Sequence, residues 1–195
     1  MTGINEAKKG ALKDIILKLH EGLSAEKAKD RFESEVGNVT STEIAEMEQS
    51  LIDEGLSPEE IKKFCNVHAL IFESALQKAA MPETSASHPV YLFKKENREI
   101  EKLLETLKNA ADKNEIKKLL TALRGIDTHY ERKELLLFPF LEKKGFMGPS
   151  KVMWGKDNEI RDMLKAAWKD FAGVTPASLP AFRKNTLGPL IEEVK

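Results

Sequence analysis

The chain has 195 residues, of which 31 are basic and 32 acidic, a formal net charge of -1, and a single cysteine, Cys65. Hydrophobic residues make up 41% and charged residues 32%, the balance of a globular protein rather than a disordered one. The interspersed charge offers no basic face for duplex nucleic acid or an anionic membrane. One cysteine rules out an intramolecular disulfide, and no apolar run reaches the length of a membrane span, so a cytoplasmic protein is expected.

In chain order, Leu12, Ile15, Ile16 and Leu19 recur at helical spacing and Gly22 stops the helix, with His20 in the last turn, where an imidazole suits the helix dipole. Ser24 ahead of Ala25-Glu26-Lys27 reads as a capping box opening a second helix to about Val36, and Gly37-Asn38 ends it. Thr40 or Ser41, with Glu43 close behind, opens a third helix through Ile44, Met47, Leu51 and Ile52 to Gly55. Ser57-Pro58-Glu59-Glu60 then supplies a cap, a proline for the first helical position and acids for the first turn of a fourth. Within it Cys65 and His68 lie three residues apart on neighbouring faces. A zinc site wants three or four protein donors and this segment has no second such pair, which favours a small buried thiol beside a core histidine. The other reading is a redox or metal contact made together with another domain.

Residues 80–89, with Pro82 and Pro89, read as a linker between a small helical domain, 1–79, and a helical bundle, 90–195. The bundle's first helix is expected to run to about Ala111 and its second from about Asn114 to Lys143, kinked or broken near Leu135 because Pro139 cannot donate to the ladder. Gly145 and Gly148-Pro149 join this to a third helix, capped by Ser150 and running to about Phe171, on which Trp154 and Trp168 read as packing aromatics. After a loop at Thr175–Pro180, Ala181 to Lys195 reads as a short or truncated last helix interrupted by Gly188-Pro189, with no closing cap, as in a fragment of a longer protein. A short last helix leaves a groove for the N-terminal helices or a second subunit to cover, so a homodimer is one expected partner and further domains or other proteins are the rest.

The apolar stripes carry polar defects. Leu119, Leu123, Ile126, Tyr130 and Leu137 share a face with Lys133, and His129 lies at its edge. Asn97 interrupts Phe93, Ile100, Leu104 and Leu107, and Asp157 interrupts Met153, Ile160, Leu164 and Phe171. A buried cation needs a partner from another helix, so one cluster of Asn97, His129, Lys133 and Asp157 is expected, with Arg161 one turn beyond Asp157.

The segments HPVYLFKKENREIEKLL, HYERKELLLFPFLEKKG and KVMWGKDNEIRDML resemble the hemerythrin-like (HHE cation-binding) family, an all-helical bundle whose metal-binding members hold a di-iron centre. The resemblance implies a first-helix histidine where this chain has Asn97, a histidine and a carboxylate on the second helix where it has His129 and Lys133, and third-helix histidines where it has Asp157 and Arg161. Only His129 fits. Residues 11–79 followed by this bundle are also similar to a bacterial family of uncharacterised function, often with a PAS sensory domain further on, which brings no established activity.

An all-α protein with an antiparallel bundle is therefore expected. A cation next to a metal costs on the order of 4 kcal/mol per unit-charge pair at an effective dielectric of 20, so Lys133 and Arg161 argue for an ionic network in place of two irons. No cofactor is expected on that reading. The alternative is iron or another divalent cation held by His129, Glu134 and Asp157, in an oxygen or redox sensor. His129 with Asp157 or Glu134 has the makings of an acid and base pair, but no phosphate loop or nucleophile elbow accompanies it, so a non-catalytic sensory or interaction module is expected rather than an enzyme.

Overall fold

The computed structural model describes residues 6–37, 39–57 and 88–194, which are helices, π-helical turns and connecting turns with no strand among them. The predicted fourth helix, with Cys65 and His68, and most of the predicted linker lie outside the described residues. Residues up to 57 together with 140–155 form one compact unit, and 88–139 with 156–194 form the other.

In the first unit, α1 (Glu6–His20), α2 (Ala25–Arg31) and α3 (Ser41–Asp53) surround Leu12, Ile15, Ile16, Leu19, Phe32, Met47 and Leu51, each worth about 2 kcal/mol of apolar burial. Ser24 caps α2 by accepting the Lys27 N–H, yet the capping box expected there is only half formed, because a lysine at the third helical position cannot return a bond to the cap's N–H. Thr40, rather than Ser41, caps α3, and here the box is complete with Glu43. The chain leaves α2 through a π turn, Phe32–Val36, that closes on Gly37 at φ 69°.

In the second unit, α4 (Pro89–Asn109) starts with Pro89 in its first turn and His88 accepting the Val90 N–H. The predicted second helix is three pieces. They are α5 (Lys113–Leu123), capped by Asp112, then α6 (Ile126–Leu136), then α7 (Phe138–Lys143). The first break, not expected, comes where Arg124 and Gly125 bond back to Thr121 and Ala122, tightening the last turn. The second is the proline break, at Leu137, because Pro139 has no N–H for the Leu135 carbonyl.

The third bundle helix, α8 (Met147–Phe171), begins before Ser150. Ser150 is therefore not its cap: it is buried in the first turn, and its hydroxyl donates to Glu142 at 2.9 Å and to the Met147 carbonyl at 3.1 Å. Trp168 packs on the second unit's core as expected, whereas Trp154 is 55% exposed. The last stretch is helical from Leu179 to Val194: α9 (Leu179–Phe182), a π turn (Arg183–Leu187) and α10 (Gly188–Val194). The wide turn sends the Gly188 N–H to the Arg183 carbonyl and lets Pro189 pass without ending the helix. Phe182, Leu187, Leu190 and Ile191 thereby join Leu104, Leu120, Leu164 and Phe171 in one core. No helix among the described residues is long and apolar enough to cross a membrane.

Candidate functional site

Three helices of the second unit supply a polar seam through this core. α4 contributes Glu96, α6 contributes Asp127, His129, Tyr130, Arg132, Lys133 and Glu134, and α8 contributes Asp157, Asn158 and Arg161. Lys133 Nζ donates to Asp157 Oδ1 at 2.7 Å, with side chains 22% and 3% exposed. Asp157 Oδ2 is buried and finds no hydrogen-bond partner among the described residues.

Burial pushes the Asp157 carboxyl up, and the opposing pull of Lys133 does not fully offset it. Burial also raises the Tyr130 hydroxyl, with the nearby Asp157 charge adding to it. The Tyr130 ring carries both cations, Lys133 Nζ at 4.5 Å and the Arg161 guanidinium at 5.5 Å from its centroid.

Arg161 donates to Glu134 at 2.8 Å and to Asn158 at 3.0 Å, and lies 3.4 Å from Asp127. Burial works against its charge, and Glu134, Asp157 and Asp127 more than restore it. His129 is 7% exposed, and its Nδ1 meets Glu96 Oε2 at 2.8 Å. The other oxygen of Glu96 takes the Arg132 guanidinium. Phe93 stands edge-on to the imidazole at 5.6 Å.

The expected cluster is only partly one cluster. Lys133 and Asp157 meet, but Arg161 goes to Glu134 instead of Asp157. Asn97 is exposed and does not join: the neighbouring Glu96 takes the inward place. Both positions lie within a turn of Phe93 and Ile100, so periodicity alone does not choose between them, whereas the need of His129 for a carboxylate does. Arg132 and the Tyr130 face were not anticipated. Arg132 is marked by its place three residues beyond His129, and Tyr130 by standing next to Lys133 in an otherwise aliphatic stripe.

The three residues offered as mononuclear metal ligands go to three different partners: His129 to Glu96, Glu134 to Arg161 and Asp157 to Lys133. Among the described residues no group of three or more His, Cys, Asp or Glu is placed to hold a metal. A di-iron centre needs several imidazoles and free carboxylates converging on one point. Here one histidine and carboxylates already engaged by Lys133, Arg161 and Arg132 do not fit it.

Residues 12–78 match the Family of unknown function (DUF438), and residues 88–194 match the Hemerythrin HHE cation binding domain. No curated protein and no solved structure matches the chain. With more than half its length in the second match, the chain belongs to the hemerythrin HHE cation binding domain family, carrying the DUF438 segment ahead of that domain.

Proposed function

We propose that this protein is a non-catalytic sensory or interaction module in which ion pairs occupy the places of the family's metal ligands. The observation that carries this is the Lys133–Asp157 contact, a half-buried lysine bonded to the buried carboxylate that a cation would otherwise claim. Lysine is repelled by a bound cation, and a second fixed charge, Arg161, holds Glu134 in the same way. Such a module acts through other domains or proteins, with the N-terminal helices as the docking element, and needs no acid or base poised over a substrate.

Elemental analysis of freshly purified protein tests this. Metal well below one equivalent, with helix content indifferent to a chelator, is expected. Stoichiometric iron or manganese that is lost in His129→Ala overturns it. The second reading is a metal-binding oxygen or redox sensor, favoured by the family's cation-binding character and by Asp157 Oδ2, which has no partner among the described residues.

A further inference from the structure

α4 and α6 do not close on each other along their whole length. Between α4 and the joint of α5 with α6 lies a cleft of about 400 Å³, a size that suits a small organic ligand. Leu92, Ile100, Leu103, Leu123 and Ile126 give it apolar walls. His129 and Arg132 stand in its polar part, each bonded to Glu96.

The geometry points to a small-molecule site in this cleft, one that takes an uncharged, largely apolar ring compound carrying one hydroxyl or N–H donor. The apolar lining sets the body of the ligand. Its charge follows from the rim, where Lys95 and Arg132 face Glu96 and Glu99 and leave no net sign to attract an ion.

The donor follows from His129. In its neutral form His129 gives its Nδ1–H to Glu96 and keeps Nε2 as a lone-pair acceptor. The ring is nearly buried and braced edge-on by Phe93, so its acceptor is held in place before anything binds. The site gives the sensory module a ligand class, and it rests on the reading above, in which no metal claims His129.

The probes are 2-naphthol, a fluorescent ring with a hydroxyl, and 2-methoxynaphthalene, the same ring without the donor. Titration of the full chain is expected to give saturable 2-naphthol binding at one site per chain. The methoxy compound is expected to bind about tenfold more weakly, the effect of one lost hydrogen bond. Ala122 lines the cleft yet is exposed, so Ala122→Trp fills the space without touching the core and is expected to abolish binding while leaving the thermal melt unchanged.

His129→Phe is expected to bring the two probes to equal affinity; if that variant does not fold, the methoxy comparison and Ala122→Trp decide. Equal binding of the two probes to the unmodified chain, or binding unchanged in Ala122→Trp, overturns the site. Metal analysis of the same sample separates the two proposals. No binding to metal-free protein overturns the site alone, and no binding to a metal-loaded protein overturns both.

Discussion

Lys133 and Asp157, twenty-four residues apart in the chain, bond at 2.7 Å in the interior of the second unit. Removing Lys133 strands a buried carboxylate, and removing Asp157 strands a half-buried ammonium. Lys133→Met and Asp157→Leu are each expected to cost about 3 kcal/mol, and the double variant clearly less than their sum. Denaturant unfolding of the three variants measures this. Additive costs would rule out a direct pairing.

The Tyr130 ring tests the same seam by a different force. Tyr130→Phe keeps the face under Lys133 and Arg161 and is expected to be nearly neutral, whereas Tyr130→Leu loses about 1 to 2 kcal/mol of cation–π attraction beyond its packing change. Thermal melts in high and low salt separate the two terms. If the leucine and phenylalanine variants unfold alike, the ring is packing alone.

Glu48, on α3 of the first unit, is expected to make stability depend on pH. Burial pushes its carboxyl from 4.5 up to about 7, so the folded chain holds this proton more tightly than the unfolded chain. The contribution is fully present below 4.5 and is lost as pH rises to about 7. Glu48→Gln removes the titration, and its stability relative to the parent is expected to rise across that window by about 2 kcal/mol, allowing for water at the partly open side chain. Urea unfolding at pH 4 and pH 8 checks the sign. A difference that does not change with pH would show that Glu48 titrates normally.

Gly148 lies tight against side chains of α3 in the first unit. A Cβ there would collide with Ile52 Cδ1 and meet Gln49 Oε1 at 3.0 Å, and the glycine N–H donates to that same oxygen at 2.7 Å. Gly148→Ala is expected to cost about 1 to 3 kcal/mol through forced repacking. Ile52→Ala in the same chain should return part of the loss by making room. Unfolding midpoints of the single and double variants decide between repacking and a change in backbone freedom.

Much of the architecture could be read from the sequence because local signals and long-range packing agree. Thr40 with Glu43, the Leu104–Leu107 stripe and Pro139 each dictate their neighbourhood with little help from elsewhere. The misses fall where two local answers cost nearly the same. Glu96 and Asn97 fit the stripe equally, and only a partner thirty-three residues away picks the first. Ser150 looks like a cap, yet α8 starts at Met147 and the Ser150 hydroxyl reaches across to Glu142 on α7. Gly188-Pro189 looks like a stop, and a single π turn spares the helix the clash. Arg161 lies one turn from Asp157, but Glu134 on the facing helix is the acid it reaches.

The family boundary at residue 88 is not where the tertiary structure can be cut. Val152 belongs to the core built by α1, α2 and α3, and Gly148 is bonded to Gln49, although both fall inside the stretch matched to the hemerythrin domain. A gene fragment starting at residue 88 would carry the whole family signature and yet leave the 140–155 helices shorn of their native neighbours, a sticky and protease-sensitive product. Swapping this bundle into another protein therefore demands that its N-terminal helices travel with it.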